Sequence, residues 1–508
     1  MRPPTAIPGR RVVHVDDGRQ ASVAVVRSPV GRDLIVDGDP EAGTAWDALE
    51  TEVLLALVPL ALKPGARSFL EVGLGSGITL GTAARFPLER IDCVEIARSV
   101  ISAGRFFEPE NNGVTCSGDP RVRIIHADGR AYLALHQGAY DVVVANTLHP
   151  WSVGATGLYS REYFARVRGA LSRGGIAAQW VLIARIGADQ TAAIARTFFS
   201  IFENGGVFWG AENLLLIGSD GPVTTPQGMP ITKAGGKGLG EILRELGLEE
   251  EFGEIAFRRI ASASAAREAL GGGRLLTDDV PWLEMEGARR RSIRPGEGTL
   301  ALLNRIAVAG ARDDERAATI ALWIESRFAR ASGLEEKADR LERKAEEAGL
   351  QLARRFRLRR LAGRAAEALR VERPAEGIKK LHALLAEAPD QRDAGYALAM
   401  ALQAGGDSAA ARETLEGVMR DHRGFAPGWN ALGILRREAG DGTGAREAFD
   451  RALEADSYFP EALANAGLVA AEAGDYPTAL RMLARLRAIT PLGPTPELRA
   501  LETAVKKG

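Results

Sequence analysis

The residues with the clearest chemical meaning are glycines that follow a short apolar segment. Residues 71–77 read Glu-Val-Gly-Leu-Gly-Ser-Gly, and residues 68–73 have the composition of a buried strand. Glycine permits a sharp turn and lets a ligand approach the backbone closely. No lysine follows the glycines, which argues against a phosphate-binding P-loop. We therefore expect the loop to bind a nucleoside, through Gly73, Gly75, Ser76 and Gly77.

Two acids follow the next two predicted strands. Glu95 ends the segment 90–95, and Asp128 with Gly129 follows the segment 122–126. A carboxylate in the first position can accept hydrogen bonds from both hydroxyls of a ribose, and an acid in the second can accept one from the amino group of adenine. The alternatives are a solvated glutamate and an aspartate that only shapes a turn. We predict that Glu95, Asp128 and Gly129 bind the nucleoside.

Polar residues also follow the fourth predicted strand, 141–145. Asn146 and His149 come directly after it, at the sheet edge where open α/β sheets bind ligands. Histidine suits general-base catalysis near neutrality because its ordinary pKa is about 6.5. The alternative is a histidine that only caps the loop before Pro150. Trp151 next to it is either a pocket wall or part of the core.

The elements that must position these residues alternate between strand and helix. This alternation is typical of a mostly parallel sheet covered by helices, and it predicts an α/β, Rossmann-like fold. An N-terminal β-segment over residues 11–37 and a helix over about 44–62 precede it. We predict strands at 68–73, 90–95, 122–126, 141–145, 176–182 and 214–217, and helices near 77–86, 97–107, 160–172 and 187–202.

Composition limits the function classes. At 508 residues the chain exceeds the roughly 250–300 residues of one core, and its formal charge of −1 argues against bulk binding of nucleic acid. Cys93 and Cys116 lack a C-x-x-C spacing, which excludes a disulfide framework and a thiolate zinc site and fits a reducing compartment. No apolar run approaches the ~20 residues that span a bilayer. We expect a cytoplasmic protein without metal, membrane or nucleic-acid partners.

The C-terminal third contains an internal repeat. Three Gly-Asp pairs recur at intervals of 34 residues, and a small residue lies eight positions before each aspartate. This pattern resembles the tetratricopeptide repeat, an all-α array whose concave face binds protein partners. We therefore predict a repeat domain over 373–508 and a protein partner bound through residues 373–490. The pairs are Gly406-Asp407, Gly440-Asp441 and Gly474-Asp475, and the small residues are Ala399, Gly433 and Gly467.

Residues from about 12 to 285 resemble the spermidine synthase (polyamine aminopropyltransferase) family, most closely the bacterial branch often fused to membrane transporter-like segments. The residues that carry the resemblance are 36–38, 69–77, 94–95, 103–111, 127–130, 150–151, 158–164, 179–180 and 276–284. It implies the methyltransferase/spermidine synthase fold, a donor of the S-adenosylmethionine type and an amine acceptor. The domains it implies are 1–62 (β-segment and helix), 63–296 (catalytic) and 297–372 (helical linker).

The chain departs from the family at the reacting centre. Asn146 and His149 stand where the family's synthases carry two aspartates, the first of which accepts the proton of the attacking amine, and Ser76 replaces an acid. An aliphatic amine with a pKa near 10.4 must lose a proton before it attacks, and a neutral amide cannot take it. Candidate replacements are Asp47, Glu52, His149, Asp278 and Asp279. We expect the acceptor to contact Asn146, His149, Asp47, Glu52, Trp151 and Tyr159.

Three functions remain open on these observations. The first is a spermidine-synthase-like transferase that uses S-adenosylmethionine or its decarboxylated form, with putrescine or another amine as acceptor. The second is an S-adenosylmethionine-dependent methyltransferase, since the Glu-x-Gly-x-Gly-x-Gly loop suits that donor equally. The third is a non-catalytic nucleoside-binding scaffold that docks a protein partner through its repeats. The oligomeric state stays open, and a homodimer is compatible with all three.

Overall fold

The structure is a computed structural model that describes most of the chain. The described residues are 11–28, 31–108, 110–116, 118–147, 149–152, 154–183, 186–210, 213–223, 243, 259–287, 297–312, 314–331, 333–350, 374–490 and 495–507, with single positions between 353 and 369. In the described part, no helix is both long enough and apolar enough to cross a bilayer.

A four-stranded sheet opens the chain. Its strands are β1 (Arg11–Asp17), β2 (Ser22–Ser28), β3 (Gly31–Val36) and β4 (Asp39–Gly43), each paired with its neighbour in sequence. Helix α1 (Trp46–Leu62) follows, and its residues 52–62 are buried on every side, as expected for a helix that is apolar all round. The predicted N-terminal β-segment is confirmed, with a fourth strand that the sequence pattern did not indicate.

The main sheet has eight strands in the order β12-β10-β11-β9-β8-β5-β6-β7. The strands from β9 to β7 are parallel, and β10, β11 and β12 are antiparallel. This order confirms the predicted Rossmann-like fold. The strands are β5 (Ser68–Val72), β6 (Arg90–Glu95), β7 (Val122–His126), β8 (Tyr140–Ala145), β9 (Leu171–Val181), β10 (Asn204–Gly210), β11 (Asn213–Ser219) and β12 (Arg259–Ser262).

Short helices lie between these strands and after the last one, and the sequence did not predict three of them: α4, α7 and α8. They are α2 (Ile78–Ala83), α3 (Arg98–Ala103), α4 (Gly129–Leu135), α5 (Arg161–Ala170), α6 (Ala188–Phe199), α7 (Ala263–Leu270) and α8 (Trp282–Gly287). Strand β5 has β6 on one side and β8 on the other, so the strand order reverses at β5. In open α/β sheets, ligands bind outside the carboxyl end of the strand at such a reversal.

The rest of the described chain is helical. Three helices, α9 (Glu297–Ala311), α10 (Glu315–Ala331) and α11 (Glu335–Glu347), precede the region of the predicted repeats. That region contains α12 (Pro374–Glu387), α13 (Arg392–Ala404), α14 (Ser408–Asp421), α15 (Ala426–Glu438), α16 (Gly442–Ala455), α17 (Pro460–Glu472), α18 (Tyr476–Ala488) and α19 (Pro496–Lys507).

The 34-residue period corresponds to helix pairs with the same turn. Gly406, Gly440 and Gly474 have φ angles of +90°, +82° and +78°, which favour glycine. The aspartate after each glycine caps the next helix by accepting a hydrogen bond from the backbone N–H three residues on, at 3.0, 2.8 and 3.1 Å. The predicted helical repeat is therefore confirmed, and its assignment as tetratricopeptide stays a prediction.

The chain divides into two compact units. Unit 1 comprises 1–15, 26–29 and 354–508, and unit 2 comprises 16–25 and 30–353. Within unit 1, Arg27 pairs with Asp456 and its guanidinium lies 4.1 Å from the centre of the Phe459 ring. Unit 1 therefore combines N-terminal residues with the helical repeats.

Candidate functional site

A cavity of about 440 Å³ in unit 2 lies at the carboxyl end of β5. Its walls come from the glycine loop, from the residues that follow β6, β7 and β8, and from strands β3 and β4 of the N-terminal sheet. The volume is within the usual range for small-molecule sites, about 300–1,000 Å³. Six of the predicted site residues line this cavity together: Gly73, Gly75, Glu95, Asp128, Gly129 and Asn146.

The glycine loop requires its glycines. Gly73, Gly75 and Gly77 have φ angles of +88°, +54° and +82°. A Cβ atom at Gly73 would lie 2.1 Å from the carbonyl oxygen of Asn146, so the loop and the end of β8 are in direct backbone contact. Any other residue at this position would be strained and would push the two segments apart.

Glu95 connects the loop to β6. Its Oε2 accepts a hydrogen bond from the Leu74 N–H at 2.9 Å, and its Oε1 accepts one from the Ala97 N–H at 2.7 Å. Burial raises the pKa of Glu95, and the backbone N–H groups oppose that rise. Each carboxylate oxygen has two lone pairs, so both can also accept a ligand hydroxyl.

Asp128 caps a helix and lines the cavity. Its Oδ1 caps α4 by accepting from the Ala131 N–H at 2.8 Å, and the residue is also exposed along the cavity wall. Gly129 beside it allows close packing, since a Cβ there would lie 2.6 Å from Cγ1 of Val72. The cap holds the carboxylate at the mouth of the cavity.

Glu52 and Ser76, predicted to bind substrate and cofactor, lie beneath the loop and off the cavity wall. The Ser76 hydroxyl donates to Glu52 Oε2 at 2.5 Å, and the Gly43 N–H donates to Oε1 at 3.3 Å. Burial raises the pKa of Glu52 to about 7, against the effect of these hydrogen bonds. Gly77 faces Thr115 and Asn111. In this arrangement Glu52 fastens the loop to β4.

Glu71 is a buried acid to which the sequence reading assigned no role. It is fully buried in β5, and its Oε1 accepts a hydrogen bond from Asn146 Nδ2 at 3.2 Å. Burial raises the pKa of Glu71 well above its ordinary value, and the nearby charges of Glu52 and Glu95 add to the rise. The sequence did contain a signal for this role, because Glu71 is an acid in a largely apolar strand, two positions before the first loop glycine.

The segment after β8 holds a chain of hydroxyl groups. Thr147 lines the cavity; its Oγ1 donates to the hydroxyl of Tyr159 at 3.3 Å and accepts from Gln179 Nε2 at 3.2 Å. Tyr159 is only 1% exposed, and burial raises the pKa of its hydroxyl. Tyr159, predicted to contact substrate, therefore lies behind Thr147.

His149 lies next to an acid that the sequence reading missed. Its Nδ1 is 3.1 Å from Oε1 of Glu41, and its ring stacks on Trp151 with centroids 4.5 Å apart. Glu41 lines the cavity, whereas His149 and Trp151 do not. Nothing in the local pattern of β4 marks Glu41, because the strand that carries it belongs to the other sheet. The side chain of Asp47, a further predicted substrate contact, is outside the described residues.

The cavity wall is acidic. Four carboxylates line it, from Asp37, Glu41, Glu95 and Asp128, and Arg130 is the one cation among the described lining residues. The Arg130 guanidinium pairs with Asp278 and donates to the carbonyl of Gly157 at 2.9 Å. A wall of this charge favours a cationic ligand and disfavours a ligand carboxylate.

Part of this chain is similar in sequence to known proteins. Residues 49–181 match the family described as "Spermine/spermidine synthase domain". The chain is 30% identical over 184 residues to a polyamine aminopropyltransferase of Desulforudis audaxviator (strain MP104C), covering 36% of this chain and 65% of that protein. It is also 30% identical over 169 residues to a spermidine synthase of Dictyostelium discoideum, covering 33% and 58%.

The matched region is a part of each protein. The chain spans about two thirds or less of the length of these curated relatives. A solved structure of spermidine synthase from Thermotoga maritima is similar over 42% of this chain and 73% of its own, with a TM-score of 0.38 and 21% sequence identity.

Proposed function

We propose that unit 2 transfers an aminopropyl group from decarboxylated S-adenosylmethionine to an amine. The observation that carries this proposal is the charge of the cavity wall, with four carboxylates and a single cation that is already paired. The decarboxylated donor bears a sulfonium and an ammonium, so both of its charges are complementary to that wall. S-adenosylmethionine carries an additional carboxylate, which would lie among acids without a free cation in the described wall.

One group of cavity residues is positioned for the donor and a second group for the acceptor amine. Glu95 accepts the ribose hydroxyls and Asp128 the adenine amino group, while Ile96, which is 49% exposed, offers an apolar face to the base. Gly73 and Gly75 let the sulfonium region approach the backbone. Asn146 and Thr147 then face the acceptor amine. The names of the similar proteins support the same reaction class.

Donor binding tests the proposal directly. Thermal melts of the full chain with equal concentrations of decarboxylated S-adenosylmethionine, S-adenosylmethionine and methylthioadenosine should show the largest stabilisation by the decarboxylated donor, because the ligand that binds most tightly stabilises most. Glu95→Gln should weaken that stabilisation, whereas Glu89→Gln, at an exposed ion pair, should leave it unchanged. Stronger stabilisation by S-adenosylmethionine, or none by any of the three, would contradict the proposal.

Methyl transfer is the second candidate, and Glu71 favours it. This acid occupies the first position of the Glu-x-Gly-x-Gly-x-Gly loop and is buried directly beneath Asn146. The ammonium of S-adenosylmethionine beside this carboxyl would favour its ionised form and lower the raised pKa. The two reactions release different products, so mass spectrometry separates them: methylthioadenosine indicates aminopropyl transfer and S-adenosylhomocysteine indicates methyl transfer. A partner bound through the helical repeats would be additional to either reaction.

A further inference from the structure

The acceptor end of the cavity contains an acid that differs from the other three. Glu41 lies on β4 next to Ala42. A Cβ atom placed on Gly75 would lie 3.5 Å from the Cβ of Ala42 and 3.0 Å from Nδ2 of Asn146, so this part of β4 is close to both the loop and Asn146. Glu41 is also close enough to Tyr159 to act on it electrostatically, and Tyr159 bonds to Thr147. Glu41 therefore lies at the Asn146 and Thr147 end of the cavity.

The partners of the four carboxylates distinguish Glu41. Asp37 accepts from the Ser22 N–H at 2.9 Å, and Glu95 and Asp128 accept from backbone N–H groups. Those three carboxylates hold the backbone in place. Glu41 instead faces a titratable side chain, His149, at 3.1 Å, and its own side chain is only 10% exposed.

We propose that Glu41 is the general base that takes the proton from the acceptor amine, and that His149 is its positioning residue. This inference rests on the proposed aminopropyl transfer and assigns the proton transfer that Asn146 cannot perform. Asn146 presents an amide whose nitrogen already donates to Glu71. His149 is behind Glu41 and stacked on Trp151, so it contacts the cavity through Glu41.

The proton and electron balance of the step is complete without a further reagent. The Glu41 carboxylate removes one proton from the substrate ammonium, which leaves a neutral amine with a lone pair. That lone pair forms a bond to the carbon beside the sulfonium as the carbon–sulfur bond breaks. The electrons of the broken bond stay on sulfur, which becomes the neutral thioether of methylthioadenosine. The new secondary ammonium leaves with the product, and Glu41 returns its proton to solvent.

The role of His149 follows from its geometry. His149 Nδ1 is in close polar contact with Oε1 of Glu41 at 3.1 Å, so the ring limits the movement of this carboxylate. Stacking on Trp151 restricts rotation of the ring. His149 thereby holds the Glu41 carboxylate at the cavity wall, without contact with the reacting atoms.

The test measures methylthioadenosine release, because every amine acceptor yields this product. The assay uses the full chain, decarboxylated S-adenosylmethionine and putrescine, cadaverine or spermidine. Glu41→Gln keeps the side-chain shape and removes the base, so kcat should fall at least about 100-fold. The Kd of the donor should change less than threefold. Asp128→Asn should instead raise the KM of the donor and change kcat little, and Glu89→Gln should match wild type.

The role of His149 is tested by comparing kcat with donor affinity and by rescue with a polar side chain. His149→Phe keeps an aromatic ring against Trp151 and removes the polar contact with Glu41. The kcat should then fall about tenfold while the Kd of the donor changes less than threefold, because only the position of the base is affected. His149→Gln, which retains a polar group, should restore part of the kcat.

The outcomes separate this proposal from the proposed function. If wild type does not bind the decarboxylated donor, or if no amine yields methylthioadenosine, the proposed function fails and the role of Glu41 fails with it. If wild type releases methylthioadenosine and Glu41→Gln retains the wild-type kcat, the assignment of Glu41 alone is overturned. An unchanged kcat in His149→Phe would overturn the role of His149 alone.

Discussion

Buried acids have lowered pKa values at one end of the main sheet and raised pKa values at the other. At the amino end, Asp92 of β6 is fully buried and accepts hydrogen bonds from Arg123 at 2.8 Å, Tyr140 at 2.6 Å and Arg90 at 2.7 Å. Burial alone would raise its pKa, yet these three partners together hold the pKa of Asp92 below its ordinary value.

At the carboxyl end the balance is reversed. Glu52, Glu71 and Glu95 are buried around the glycine loop, and burial raises the pKa of each above its ordinary value despite their hydrogen bonds. In the described structure, the main groups that oppose these rises include no arginine or lysine. Among the residues that the structure describes, the same sheet therefore pairs a buried acid with cations at one end and leaves buried acids without a cationic partner at the other, where a cationic ligand would favour their ionised form.

Removing the compensated acid should have the largest effect on stability. Asp92→Ala leaves two arginines without their shared partner, and we expect the free energy of unfolding to fall by about 4 kcal/mol. Urea denaturation followed by circular dichroism measures this loss. The control is Arg67→Ala, which breaks an ion pair whose side chains are 71% and 60% exposed and should cost no more than about 0.5 kcal/mol. Equal losses in the two variants would remove the distinction between the sheet ends.

A change at the glycine loop should cost less stability but abolish function. Gly73→Ala puts a left-handed alanine against the backbone of Asn146, and we expect a loss of about 3 kcal/mol. The matched control is Gly65→Ala, where φ is +86° but no atom lies within 4 Å of the added Cβ. It should cost about 1 kcal/mol. The shift in melting temperature caused by the donor should disappear in Gly73→Ala and remain in Gly65→Ala. Similar shifts in the two variants would show that donor binding does not need the close contact between Gly73 and the backbone of Asn146.

The buried acids at the carboxyl end of the sheet should make the stability of the protein depend on pH. The carboxyl of Glu52 titrates near 4.5 when unfolded and near 7 when folded, so between these values the folded state holds a proton that the unfolded state has lost. Stability should therefore fall as pH rises through this window. Glu52→Gln removes this titrating group, and the stability difference between wild type and variant should change by on the order of 2 kcal/mol between pH 4.5 and pH 8.

Denaturation at several pH values checks the sign. Wild type should lose stability relative to Glu52→Gln as pH rises. The opposite slope would mean that Glu52 is compensated like Asp92, and the contrast between the two ends would not extend to the loop.

The part of the site that follows from parallel-strand geometry was predictable from sequence. Gly73 and Glu95 end predicted strands, Asp128 and Asn146 follow predicted strands, and a parallel sheet brings such positions to one edge. The structure accordingly places all four around one cavity. Their individual roles toward a ligand stay predictions.

The contribution of the other sheet was not predictable in this way. Asp37 and Glu41 are 32 or more residues from the loop in sequence, and their position depends on how β3 and β4 pack. Glu52 could be identified as an acid in a helix, but its place beneath Ser76 depends on how deeply α1 is buried. Strand β9 begins at Leu171, five residues before the predicted start, because its first residues pair with the amino end of β8.

The repeated Gly-Asp turn of unit 1 allows the number of repeats to change during evolution. Each turn closes with the same left-handed glycine and the same capping aspartate every 34 residues. A duplicated segment of that length would pack against helices similar to its original neighbours, so the array can gain or lose whole 34-residue repeats. The cavity has no such freedom, since its wall is assembled from distant segments that each occur once.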